Sequence, residues 1–187
     1  MSLIAGNLGA VQRLLDEAGW PWGAFAGAAA HIYGTRRPIE NVDILLAPGL
    51  LRQVRDLLEK NRFVSQYDGR ILLWRGIKLF DDLSLAIGGR HCPFLLDRSM
   101  QEHLRRLLLL GSRILVLAPE DVLVHKALLL VRGDDPLGKN HRQDLQAIVR
   151  VQKDRLDLAY LQERLRQCQA EALTRALWAE EGLSLPE

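Results

Sequence analysis

The residues that could do chemistry gather at positions 25–46, FAGAAAHIYGTRRPIENVDILL. Ala26 and Gly27 make a small-residue turn leading into a few helical residues, and such a turn exposes backbone N–H groups that can hold phosphate oxygens. A basic loop with Arg36 and Arg37 follows, then a strand carrying Asn41 and Asp43. Side chains alternate along a strand, so Asn41, Asp43 and Leu45 project one way and Val42, Ile44 and Leu46 the other. An acid on the open face of a half-buried sheet can hold the magnesium that accompanies phosphate groups. Farther on, Asp82 takes the polar parity of an extended run at 77–87, while Asp81 would face the core unless a bulge shifts the register. Asp82 is therefore the better candidate for a functional acid, with Asp81 as the alternative. Lys126 lies in the middle of a helix that is apolar nearly all round, where an acidic partner is attractive.

The elements expected to position these groups follow from hydrophobic periodicity. Helices are expected at 7–18, 28–33, about 50–60, 95–110, 119–131, 140–151, 158–168 and 171–178. Strands are expected at 22–26, 41–47, 63–67, 71–74, 77–87 and 113–117, with Asp68, Gly69 and Arg70 forming a hairpin turn. Pro119 suits the first position of its helix, and Glu120 and Asp121 complement the dipole there. The stretch 132–139, RGDDPLGK, reads as a polar, mobile loop. The plan is α+β, a mixed sheet flanked by helices and then a helical part, divided as a core at 1–117 and a C-terminal helical subdomain at 118–187 packed on it.

Composition bounds the function. At 187 residues, 48% apolar and 26% charged, the chain suits one compact domain with a small subdomain. Its net charge of +2 gives nonspecific nucleic-acid or membrane binding no global support. Cys92 and Cys168 offer neither a disulfide framework nor metal-ligand spacing, as expected of a cytoplasmic protein. No apolar run approaches the roughly 20 residues of a membrane helix, and residues 1–6 lack the features of a signal peptide. His31, His91, His103, His125 and His141 are scattered and read as ordinary residues. The arginines at 105, 106 and 150–166 read as solvated helix faces.

The order small residue–Gly, small residue two positions on, Gly, Arg, then an acid pair on a strand resembles the opening signature of the DNA polymerase β-like nucleotidyltransferase superfamily. Within it the chain looks like the minimal nucleotidyltransferases and the AbiEii-type toxin enzymes. Ala26 and Gly27 stand at the family's Gly-Gly or Gly-Ser pair, Ala29 at its small residue, and Gly34 and Arg37 at its Gly and Arg. Asn41 and Asp43 stand at its two metal-binding acids. Downstream, LAPEDVLVHKAL at 117–128 is similar to the Pro-Glu-Asp segment and Lys-bearing helix, and HRQDLQAI at 141–148 to the Arg-x-x-Asp helix.

The resemblance implies a fold and a chemistry. Asp43 and Asp82, with Asn41, would form the catalytic group and hold magnesium or manganese, two ions about 4 Å apart in such enzymes. Ala26 and Gly27 would cradle the NTP, with Arg37 and Lys126 adding charge. The protein would transfer a nucleoside monophosphate from an NTP to a hydroxyl on RNA, protein or a small molecule. Three departures weaken the motif: Asn41 replaces an acid, Ala26 a Gly, and Ile39 a Thr. They bring in the alternative of an inactive NTP-binding protein, or a regulatory partner protein in a two-component toxin system. A plain interaction domain with no nucleotide cleft is a third reading.

Overall fold

The structure is a computed structural model that describes residues 3–35, 37–133 and 140–183. The chain divides into two compact units. The first comprises Met1–Ala28, Pro38–Leu83 and Leu95–Leu117, and the second Ala29–Arg37, Ser84–Phe94 and Ala118–Glu187.

The first unit is built on a seven-stranded mixed sheet. Its strands are β1 (Trp22–Phe25), β2 (Val42–Leu46), β3 (Gln66–Tyr67), β4 (Leu72–Trp74), β5 (Ile77–Phe80), β8 (Arg105–Leu109) and β9 (Ser112–Val116). They lie in the order β3-β4-β5-β2-β1-β9-β8, with β2 antiparallel to β1 and parallel to β5. Register puts Trp22, Ala24, Val42, Ile44, Leu46, Ile77 and Leu79 on one face, and all seven are fully buried. Each large aliphatic among them contributes about 1.5–3 kcal/mol by leaving water. Helix α1 (Leu3–Glu17) buries Leu8, Val11 and Leu15 and packs on β5 and β9. The remaining helices here are α3 (Leu51–Lys60) and the short α4 (Arg98–Glu102), the latter capped by Asp97, whose Oδ1 accepts from the Met100 N–H at 2.9 Å.

In the second unit helix α5 (Pro119–Arg132) packs against α6 (His141–Gln152), α7 (Leu158–Gln167) and α8 (Glu171–Glu180). Residues 119–128 of α5 are buried on every side, polar ones included. Glu120 accepts from the Asp157 N–H at the start of α7, at 2.8 Å. Asp121 pairs with Arg164 Nε at 3.0 Å and accepts the Tyr160 hydroxyl. The unit also holds a hairpin, β6 (Leu85–Ile87) and β7 (Arg90–Cys92), turned by Gly88 and Gly89 with φ of 55° and 78°. Two consecutive positive φ angles are what a two-residue hairpin turn demands. The division between the units falls within α2 (Ala26–Tyr33).

Three expectations need correction. The run 77–87 is not one strand: β5 ends at Phe80, the chain bends at Asp81, and 85–87 pairs in the separate hairpin. The Asp81 carboxylate accepts from the Leu51 N–H at 3.1 Å, satisfying a donor at the start of α3, so it neither enters the core nor continues a strand. The expected helix at 95–110 is instead α4 followed by strand β8, because Leu110 and Gly111, with φ of 50° and 86°, turn the chain back onto β9. Arg105 and Arg106 thus lie on an edge strand. Arg164 is buried against Asp121, so the stretch 150–166 is not wholly solvated. Of the strand expected at 63–67, residues 66 and 67 are extended. In the loop expected at 132–139, residues 134–139 lie outside the described residues, as does Arg36.

Helix bounds elsewhere agree to within a few residues at either end. No described helix is long and apolar enough to cross a membrane.

Candidate functional site

In the first unit, antiparallel pairing of β1 with β2 sets Phe25 directly opposite Asp43. The end of β1 therefore lies beside the beginning of β2, which brings the turn at Ala26 and Gly27 alongside Asn41 and Asp43. Ala26 holds φ of 50°, in the left-handed region that favours glycine. An L-residue there costs about 1 kcal/mol, so the turn keeps its shape although its first residue is Ala. Gly27 is exposed, and a Cβ added to it would meet nothing within 4 Å, leaving its backbone open to a ligand.

Asp43 is half-buried, and the face it shares with Leu45 and Phe25 is not the open one expected, since both of those are buried too; Asn41 lies one residue ahead of the strand. The parallel pairing of β2 with β5 places Lys78 abreast of Asp43, about 5 Å away between strands. Both belong to the same face. Asp82 follows β5 by two residues, outside the ladder, and is exposed. Strand pairing thus brings together Asn41, Asp43, Ala26 and Gly27, but not Asp82. The residue it sets beside Asp43 is a cation that sequence reasoning missed. Only the register of two strands joined through intervening β3 and β4 could have revealed it.

The donor set bears on a metal. Carboxylate and amide oxygens are the ligands magnesium takes, usually with several waters. Among the described residues no group of three or more His, Cys, Asp or Glu is placed to hold an ion. Asp43 and Asp82 with the Asn41 carbonyl have the oxygen chemistry for magnesium or manganese, one charge short of three carboxylates.

In the second unit the two cations taken for nucleotide binding meet on one acid. Arg37 Nη2 pairs with Asp144 Oδ1, and Lys126 Nζ with Asp144 Oδ2 at 2.7 Å. Asp144 is fully buried and Lys126 nearly so, while the Arg37 side chain is 42% exposed. Lys126 does not snorkel, because its ammonium finds its acceptor inside. His141 Nδ1 stands 3.3 Å from Lys126 Nζ. His125, packed on the Phe94 ring at 5.0 Å, has its pKa lowered to about 3, first by burial and then by Lys126, His141 and Arg132. The apolar surroundings of Lys126 and the acid on the α6 segment together were the signal for Asp144. Nothing in the spacing distinguished His125 or His141.

Gly34 fixes the approach of the α2 end to α6. A Cβ there would lie 2.6 Å from the Ala147 carbonyl oxygen, a distance real Cβ atoms do not show. The Gln152 amide closes the same junction by donating to the Tyr33 carbonyl at 3.1 Å.

No protein-family profile and no curated protein sequence matches this chain. Solved structures do. The solution structure of the antibiotic-resistance factor ANT(2'')-Ia aligns over 95% of this chain and 96% of its own, with a TM-score of 0.58 and 10% identity. The crystal structure of ANT(2'')-Ia in complex with adenylyl-2''-tobramycin aligns over 96% and 99%, with a TM-score of 0.55 and 10% identity. An antigenic nucleotidyltransferase-like protein from Paracoccidioides brasiliensis aligns over 98% and 94%, with a TM-score of 0.51 and 12% identity. At these identities the likeness is one of architecture: the chain has the α+β fold of nucleotidyltransferases, along nearly its whole length.

Proposed function

We propose that the protein binds an NTP with a divalent ion and slowly transfers its nucleoside monophosphate to a hydroxyl acceptor, the acceptor oxygen bonding to the α-phosphorus as it loses its proton and pyrophosphate leaves. The observation that supports this reading is the pairing of Phe25 with Asp43, which sets a strained, ligand-accessible turn beside a half-buried carboxylate at the start of β2. The exposed backbone of Gly27 at the start of α2 would receive phosphate oxygens. Asp43 with the Asn41 carbonyl would hold magnesium or manganese, which neutralises charge on the phosphates when bound, with Asp82 joining from the bend that follows β5. Lys126, buried on Asp144, acts by fixing that carboxylate, which also holds Arg37. The acceptor is an RNA, protein or small-molecule hydroxyl; a small molecule has the support of ANT(2'')-Ia, a fold neighbour solved with an adenylylated tobramycin.

A second reading is favoured by Lys78. A lysine paired in register with Asp43, with Asn41 in place of an acid, reduces the net negative charge of this end of the sheet that an ion would meet. An NTP-binding protein without turnover fits that arrangement, including one that regulates a partner protein as in the AbiEii-type toxin systems. Magnesium-dependent incorporation from α-labelled NTPs separates the readings. Transfer is expected to be weak in the native protein and to rise in Asn41→Asp. Strong native turnover, or an Asn41→Asp variant as inactive as Asp43→Ala, would contradict the proposal.

A further inference from the structure

Residues of the second unit alone line an open groove of about 800 Å³, within the size range of small-molecule sites. None of Asn41, Asp43, Asp82, Ala26 or Gly27 borders it. Its lining mixes apolar residues, Gly34, Ala147 and the exposed Val151, with the polar Arg37, Gln143 and Arg150. The two acids on the lining are already engaged: Asp144 by Lys126 and Arg37, and Glu181 by the Gln146 amide at 3.2 Å and Arg142 at 3.9 Å. Among the described residues Arg150 makes no ion pair, and its side chain is exposed. The Nε of Arg37 is enclosed and meets no acceptor among the described residues. A buried donor without an acceptor is costly, and a charged one more so.

We infer that this groove binds a small anion with an apolar body, its phosphate or carboxylate group held by Arg37 and Arg150 and its body against Ala147 and Val151. The anion supplies an acceptor for the donors on the exposed part of the Arg37 guanidinium and a counter-charge for the exposed Arg150. A planar guanidinium suits both oxyanions, since its paired N–H groups match two of their oxygens. The inference does not depend on nucleotidyl transfer, because no residue of the proposed metal site takes part.

Calorimetric titration in EDTA with phenyl phosphate, benzoate and inorganic pyrophosphate tests it. Phenyl phosphate and benzoate distinguish a phosphate from a carboxylate ligand, and pyrophosphate lacks the apolar body. At least one of the first two is expected to bind saturably and more tightly than pyrophosphate. Arg150→Ala is expected to weaken that binding about tenfold or more, and Asp43→Ala to leave it unchanged. Arg150 is exposed on α6, so the variant keeps its fold, and Val151→Asp serves as a second, charge-repelling probe. Absence of saturable binding by every probe, or affinity unaltered in both groove variants, would overturn the inference.

Discussion

Lys126 and Asp144 form a buried ion pair, Nζ to Oδ2 at 2.7 Å, and the second oxygen of the same carboxylate holds Arg37. One acid therefore serves two cations. Removing it would leave a buried ammonium without its partner, which costs about 3–5 kcal/mol. Asp144→Ala is expected to lower stability by that amount in urea denaturation. Lys126→Met in the same background should recover part of the loss, which a double-mutant cycle would read as coupling.

Gly34 meets α6 where no side chain fits. Gly34→Ala brings a Cβ to 2.6 Å from the Ala147 carbonyl oxygen, backbone that cannot turn aside. Overpacking of this kind costs about 1–3 kcal/mol, seen as a lower thermal midpoint. Gly27→Ala, with open space at the same atom, is the matched control and should fall far less.

Burial holds the His125 pKa near 3 in the folded state, against 6.5 as its ordinary value. The unfolded chain therefore binds more protons between these values, so stability is complete above about pH 6.5 and falls as pH drops toward 3. The slope contributed by this one group approaches about 1.4 kcal/mol per pH unit. Denaturation midpoints at pH 7 and pH 5 should differ accordingly, and His125→Leu should flatten the difference.

Much of this architecture was legible in sequence. The α5 helix announced its burial because apolar residues recur on every side, and the β2 alternation of Val42, Ile44 and Leu46 announced which face Asp43 would leave. What escaped were features set by residues far apart in the chain. Leu107–Leu109 look helical by composition, and the Leu110–Gly111 turn that returns them to β9 overrode that preference. Asp81 and Asp82 differ by one position, yet one caps α3 through Leu51 and the other does not, a choice made by where α3 begins. Lys78 became a neighbour of Asp43 through strand order, which periodicity does not encode.

Ala26 occupies a left-handed conformation that glycine adopts freely. Ala26→Gly relieves about 1 kcal/mol of strain and adds somewhat less in unfolded-chain entropy. The net expectation is a small gain, about 0.5 kcal/mol in the same denaturation assay, the reverse of the usual sign for Ala→Gly at a helix end.

Nucleotide binding at Asp43 is the claim on which the functional account stands, and a thermal-shift panel of ATP, GTP, CTP and UTP addresses it most directly. A ligand that binds only the folded state must raise its stability by mass action. The account predicts a magnesium-dependent rise with at least one nucleotide, abolished in Asp43→Ala and enlarged in Lys78→Gln, where the competing ammonium is gone. No rise with any of the four, or a rise undiminished in Asp43→Ala, would contradict it.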